Sequence, residues 1–263
     1  MRVYMLDVGQ GDAFLIRTAS CNVLLDGGES DNGDRLVRML HAIGVKKLDY
    51  IINSHPHYDH FGGLITVLAE MPVGTLYLCD VPDALMPTSA YFFDFMDAME
   101  ASDATVRIPQ CGDTLVLDDA VLTFLSVDNS AYTDLNDCSL LCRIDHNEIS
   151  FLFCGDLSAK SEREFVRQGL IQPVDVLKCA HHGSNSSSCD AFLAAAQPQC
   201  VMIPVGTEND YGHPSVQCLK RIGAYTDQVF RTDTDGDVMF SSDGTKLMVT
   251  IHYQADEDRK EAG

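Results

Sequence analysis

The sequence predicts an α/β (α+β) protein in which two mixed β-sheets are sandwiched between layers of helix. Three observations lead there. Short β-like apolar segments recur along all 263 residues. Stretches of helical period separate many of them. Other strands follow one another with no helix between, at the N terminus, over 114–154 and over 228–252, which favours mixed sheets over purely parallel ones.

Strands are expected at 3–6, 13–17 and 22–25, followed by a helix over 34–42 on which Leu36, Val37 and Leu40 form an apolar stripe. A buried strand over 49–53, a helix over 62–70, a strand over 75–79 and a helix over 90–100 come next. The run 105–108, 114–117, 121–126, 140–144 and 149–154 reads as successive strands. Ser158, with Ser161 and Glu162 behind it, starts a helix to 168. A strand over 174–179, a helix over 188–196 and a strand over 200–204 follow, and Pro214, at home in a first helical turn, opens a helix to 223. Strands over 228–231, 237–241 and 245–252 complete the set.

With 46% hydrophobic residues the chain can bury a substantial core as one large or two intimately packed domains. Residues 1–253 are expected to form a single domain, and the polar stretch 254–263 to fray. No apolar run reaches the ~18 residues needed to cross a bilayer. The first residues enter a strand-like segment with no signal-peptide pattern, so the expected compartment is the cytoplasm. Ten cysteines form no CxxC pair, and several sit in apolar strands. They read as reduced, buried small hydrophobes rather than a disulfide framework or a zinc knuckle. The formal net charge of −21 argues against a broad basic track for double-stranded nucleic acid. Much of the acid, as at Asp31, Asp34, Asp94, Asp97 and Asp118, lies in turns and on helix faces and serves solubility. A local anion site stays open where divalent cations outweigh the carboxylates around them.

The chemistry concentrates in His55-Pro56-His57-Tyr58-Asp59-His60, between an apolar run and Phe61-Gly62-Gly63-Leu64. Read as a loop between strand and helix, it sets His55, His57 and Asp59 on one side of extended backbone while His60 turns toward a second position. That arrangement suggests two adjacent metals. Imidazole nitrogen with carboxylate oxygen suits zinc, manganese or iron better than calcium or magnesium. A histidine-rich surface loop is the plain alternative, and the HxHxDH spacing between strand and helix weighs against it.

Further pieces lie at other strand ends. Asp26, before Gly27-Gly28, can accept a hydrogen bond from the far nitrogen of a ligand histidine, or be an ordinary turn aspartate. Asp12, ending Asp7-Val8-Gly9-Gln10-Gly11-Asp12, is a candidate for the same supporting role. Asp156, exposed by the bend at Gly155, has two oxygens to share between metals, or could cap the next helix. His181 and His182 point in different directions, so one can bind metal while the other faces substrate. His213 could reach the pocket to meet a phosphate or leaving group, or stay a loop histidine. His41, His146 and His252 lie outside any cluster and take ordinary surface or strand roles.

Taken in order, the Asp7–Asp12 segment, Leu25-Asp26-Gly27-Gly28, the HxHxDH run, Gly155-Asp156 and His181-His182-Gly183-Ser184 resemble the metallo-β-lactamase superfamily. Within it they are most similar to the ComEC-like metallohydrolase domains of competence, or DNA uptake. Asn136-Asp137-Cys138-Ser139-Leu140, Tyr211-Gly212-His213-Pro214 and the run from Arg231 to Gly236 extend the resemblance over residues 3–252. It implies a four-layer αββα sandwich with two divalent ions, zinc or manganese, at the edge of the sheets. One ion would be held by His55 and His57, the other by Asp59, His60 and His182, with Asp156 bridging and His181 turned to substrate. Where many members place a further metal-binding histidine, this chain has Asn136 to Ser139, leaving the His55 and His57 position short of protein ligands. ComEC proteins also carry a membrane channel that this sequence does not contain, so a stand-alone enzyme and an excised domain both fit.

The function this implies is metal-dependent hydrolysis of a phosphodiester, with single-stranded or short DNA as substrate. Asp59 and Asp156 would orient the attacking hydroxide, His181 or His213 would serve the leaving oxygen, and Asn136, Ser139 and Ser184 would donate hydrogen bonds from the pocket wall. A hydrolase of small phosphorylcholine-type esters, lactones or thioesters competes within the same fold. A metal-stabilised partner or sensor module without turnover is the rival from another class.

Overall fold

The computed structural model describes residues 1–253; the stretch 254–263, expected to fray, lies outside the described residues. The chain runs through β1 (Arg2–Met5), β2 (Phe14–Arg17), β3 (Asn22–Leu25), α1 (Gly33–Ala42), β4 (Leu48–Asn53), α2 (Tyr58–Glu70), β5 (Val73–Leu78), α3 (Ala90–Ala101) and β6 (Thr105–Arg107). It continues with β7 (Thr114–Leu117), β8 (Ala120–Leu125), β9 (Leu141–His146), β10 (Ile149–Phe153), α4 (Ala159–Arg167), β11 (Val176–Lys178), α5 (Asp190–Ala196) and β12 (Cys200–Ile203). Last come α6 (Val216–Ile222), β13 (Val229–Arg231), the helical turn α7 (Thr232–Asp235), β14 (Val238–Ser242) and β15 (Leu247–Thr250).

One sheet has the order β15-β14-β1-β2-β3-β4-β5-β6 and the other β13-β12-β11-β10-β9-β8-β7. Both are mixed. The first changes from antiparallel to parallel pairing at β3, and the second at β10. Strands joined by short turns can only reverse direction, whereas a parallel neighbour needs a crossover, which α1 to α6 supply.

Period-two alternation sorts the apolar residues into layers. Val3 and Met5, Phe14 and Ile16, and Phe151 and Phe153 meet in the core between the sheets. Their neighbours Tyr4, Leu6, Ala13 and Leu15 point the other way, under Leu36 and Leu40 of α1, Phe61 and Leu64 of α2 and Phe95 of α3. Leu152 and Cys154 likewise face Phe165 of α4, Phe192 of α5 and Cys218 and Ile222 of α6. The result is the expected order of helices, sheet, sheet, helices. Each fully buried phenylalanine, such as Phe14, Phe124 or Phe151, contributes ~1.5–3 kcal/mol through burial. The cysteines are free thiols, and all but Cys21 and Cys111 are buried in these layers. Among the described residues no helix is long and apolar enough to cross a membrane.

Two boundaries differ from expectation in ways that matter to the site. Helix α2 begins at Tyr58, inside the histidine run, rather than at 62. Helix α6 begins after Ser215, whose hydroxyl accepts the Cys218 N–H, so Pro214 lies outside the cap. Pro214 instead packs on Gly183, where an added Cβ would stand 2.5 Å from its ring.

Candidate metal centre

Asp26 follows β3, the histidine run follows β4, Asp156 follows β10, His181 and His182 follow β11, and His213 lies in the loop after β12. These are carboxyl ends of parallel strands, where an open α/β sheet leaves a crevice for ligands.

His57 is the extended N-cap of α2, so Asp59 and His60 belong to its first turn and not to extended loop as the alternation argument expects. Phe61, Leu64, Val67 and Leu68 bury one face of that helix and draw its start back into the motif. An aspartate in the first turn also suits the positive end of the helix. The turn is clamped by backbone: Asp12 N–H donates to Asp59 O at 3.2 Å and Gly27 N–H to His60 O at 2.8 Å. Glycine is required for this approach, since a Cβ at Gly11 (φ +116°) would stand 2.0 Å from Asp59 O and one at Gly63 2.1 Å from Gly27 O.

Asp26 is fully buried and accepts four hydrogen bonds, from Ser54 N–H (2.7 Å), Ser54 Oγ (2.6 Å), Asn53 Nδ2 (3.0 Å) and His60 Nδ1 (2.9 Å). Because the Ser54 proton goes to Asp26, Ser54 Oγ accepts from His55 Nδ1 at 3.1 Å. His182 Nδ1 donates to Pro204 O at 2.9 Å. These partners place the hydrogen of all three rings on Nδ1 and turn three bare Nε2 lone pairs inward.

The lone pairs meet carboxylates. His60 Nε2 is 3.4 Å from Asp156 Oδ2, and His182 Nε2 is 3.2 Å from both Asp156 Oδ2 and Asp59 Oδ2. Asp59, His60, Asp156 and His182 each offer one atom within 4.8 Å of the others. The Nε2 atoms of His60 and His182 are buried without a hydrogen bond among the described residues. Two orphaned imidazole nitrogens facing two carboxylates form a donor set that fits a divalent cation such as zinc or manganese. Without one, burial pushes His60 and His182 down, but the carboxylates outweigh it and hold both well above the usual histidine value, Asp156 contributing most. Protons then sit where the cation fits.

Lys178, which sequence reasoning missed, is fully buried at the end of β11. Its ammonium donates to Gly155 O at 2.7 Å and pairs with Asp12 Oδ2 at 2.7 Å and Asp156 Oδ1 at 3.2 Å. Burial opposes its charge, yet Asp12 and Asp156 raise its affinity for the proton. Asp156 therefore has one oxygen held by Lys178 and the other facing the histidines. A lysine inside the apolar run Val176-Leu177-Lys178-Cys179 was the available signal, since a buried charge needs a partner.

The first half of the histidine run forms a second convergence. His55 Nε2 lies 3.0 Å from His57 Nδ1, which lies 2.9 Å from Asn136 Oδ1. Ser139 Oγ donates to Asn136 O at 2.8 Å and accepts the Asp156 N–H at 3.0 Å, so it ties two loops of the site together. Ser184 Oγ pairs with Ser186 Oγ at 2.9 Å. His181 is partly exposed, with Nε2 3.9 Å from Asp156 Oδ2. His181 and His182 are consecutive left-handed residues (φ 52° and 50°), a conformation costing ~1–3 kcal/mol each that turns adjacent rings apart. His213 stands 5.5 Å from His181 between ring centres, and its Nδ1 is buried with no partner among the described residues. Burial, reinforced by His181 and His182, pushes His213 down to about 4, leaving it uncharged at neutral pH.

A profile of the metallo-beta-lactamase superfamily matches residues 6–206. The chain is 27% identical to ComE operon protein 3 of Bacillus subtilis, over 90% of this chain and 32% of that protein. It is 31% identical to competence protein ComA of Neisseria gonorrhoeae over the same shares, 90% and 32%. It thus spans about a third of the length of these relatives. A shorter stretch is 34% identical to ribonuclease Z of Saccharolobus solfataricus, over 27% of this chain and 26% of that one. The solved structure of CmlA, a diiron β-hydroxylase from Streptomyces venezuelae, shares the fold with a TM-score of 0.59 at 14% identity, over 88% of this chain and 52% of that one.

Proposed function

Since this chain belongs to the metallo-β-lactamase superfamily, we propose that it is a dinuclear metal-dependent hydrolase of phosphodiesters, acting on single-stranded or short DNA. The observation that carries this reading is the convergence of the orphaned His60 and His182 nitrogens on Asp59 and Asp156, beside the second imidazole pair of His55 and His57.

When bound, two divalent ions, zinc or manganese, supply an activated water and positive charge for the phosphate. His55 and His57 would hold one, and Asp59, His60 and His182 the other, with Asp156 as the carboxylate available to both. Asp26 and Pro204 O fix the histidine tautomers, while Lys178 and Asp12 keep Asp156 from rotating. His181 and His213, uncharged, present N–H groups to a phosphoryl or leaving oxygen. The amide nitrogen of Asn136 is a further donor at the wall, and Ser139 and Ser184 hold the loops that shape it.

The relatives favour nucleic acid through the ribonuclease Z match and the competence proteins. The net charge of −21 favours a short or single strand over a duplex lying along the surface. Free thiols throughout suit the cytoplasm. One observation favours a small ester, lactone or thioester instead: a cavity of about 190 Å³ beside Pro56 is lined mostly by apolar side chains, among them Met86, Phe92, Met96 and Ile108. A panel of fluorescent single-stranded DNA, bis-p-nitrophenyl phosphate and lactones, with manganese and zinc supplied separately, separates the readings. Cleavage of the phosphodiesters supports the nuclease. Activity confined to lactones removes it, and metal binding with no turnover of any member points to a sensor.

A further inference from the structure

We propose that the amide oxygen of Asn136 is the third protein donor to the metal held by His55 and His57, an inference that rests on the dinuclear reading above. The position thought short of ligands is then complete, with a hard oxygen in place of a third imidazole.

The hydrogen-bond chain leads to this assignment. The Ser54 proton goes to Asp26 and the His55 Nδ1 proton to Ser54, so His55 Nε2 carries a bare lone pair. That atom is 3.0 Å from His57 Nδ1, which is 2.9 Å from Asn136 Oδ1. Two acceptors thus crowd one ring nitrogen, and a single hydrogen on it cannot point well at both. A cation satisfies all three.

The spacing agrees. Donors held at ~2.1 Å from a metal lie ~3.0 Å apart across the edge of an octahedral shell and ~3.4 Å apart in a tetrahedral one. The observed 3.0 and 2.9 Å match the octahedral edge. An amide oxygen joined to such a shell favours manganese over zinc.

Asn136 is also held for the task. Asp134 accepts the Asn136 N–H at 3.0 Å, and Ser139 Oγ joins Asn136 O to the Asp156 N–H. The loop that carries the third donor is therefore fastened to the loop that carries the shared carboxylate.

The test is Mn²⁺ binding to the metal-stripped whole chain, followed by the paramagnetic resonance of free Mn²⁺ and by elemental analysis, with melting curves as a folding check. The wild type should take up two equivalents and Asn136→Leu one, as should His57→Ala. Asn136→Asp should keep two and bind the weaker roughly tenfold tighter, since a carboxylate replaces the amide oxygen in the same place. Two equivalents of unchanged affinity in Asn136→Leu would overturn the inference and leave the dinuclear reading standing. One equivalent in the wild type overturns both. Should Asn136→Leu not fold, Asn136→Asp decides: no gain in affinity over the wild type overturns the inference.

Discussion

The ammonium of Lys178 stands 2.7 Å from Asp12 Oδ2, and both side chains are shut off from solvent. This pair lies behind the candidate metal centre and reaches it through Asp156 Oδ1, so one buried cation fixes the orientation of a carboxylate that faces His60 and His182.

Removing only the cation strips the buried Asp12 and Asp156 of the ammonium they share. Lys178→Met is expected to lower stability by ~3–5 kcal/mol in urea unfolding. The double variant Lys178→Met, Asp12→Leu should recover much of that loss, because replacing both partners of a buried pair costs far less than breaking it. A single variant as stable as the wild type would show that the pair is not formed in solution.

Asp26 accepts the Nδ1 hydrogen of His60 and, through Ser54, orders His55. Asp26→Asn can no longer accept all of these hydrogen bonds. Metal affinity, measured by competition with a chromophoric chelator, should fall about 10–100-fold, with the helix content of the circular dichroism spectrum retained.

Metal must displace protons held on His60 and His182, whose affinity for them is raised well above the ordinary value once their carboxylate neighbours outweigh burial. Uptake of Mn²⁺ should therefore release protons, and affinity should climb with pH. Calorimetry in two buffers of different ionisation enthalpy reads the proton count directly. An enthalpy independent of buffer would contradict the proposed ligands.

Away from the centre, Glu162 of α4 accepts the N–H groups of Ser188 (2.5 Å) and Cys189 (2.7 Å) at the start of α5. Burial raises its carboxyl to about 7 from an ordinary 4.5, against the lowering effect of those hydrogen bonds. Between these values the folded protein binds more protons than the unfolded chain. The Glu162 contribution is thus fully present below pH 4.5 and lost as pH rises through about 7. Across that window Glu162→Gln should flatten the pH dependence of unfolding free energy by on the order of 2–3 kcal/mol. A slope equal to that of the wild type would exclude Glu162 as its source.

The layered fold was legible because alternation in segments such as Val3-Tyr4-Met5-Leu6 separates two apolar faces, and only a sheet covered on both sides uses both. The His55 to His60 run was legible because its side chains have few structural uses at that spacing. Its backbone was misjudged: alternation describes an extended chain, whereas the buried face of Phe61 and Leu64 carries α2 back to Tyr58. Other features leave no local trace. His182 Nδ1 donates to a backbone carbonyl, Pro204 O, which no side-chain pattern encodes, although Asp12 Oδ1, 3.3 Å away, belongs to a residue the sequence singled out. Asn136 meets His57 only because β9 and β10 bring a distant loop to the sheet edge.

Hydrolysis of bis-p-nitrophenyl phosphate by chelator-stripped protein, before and after Mn²⁺ is restored, with Asp59→Ala in parallel, bears most directly on the function. Wild-type turnover should vanish on stripping and return with metal, while Asp59→Ala should lose roughly three orders of magnitude in kcat/KM under the same conditions. Full metal-dependent activity in Asp59→Ala, or wild-type activity unaffected by stripping, would contradict a phosphodiesterase built on this centre.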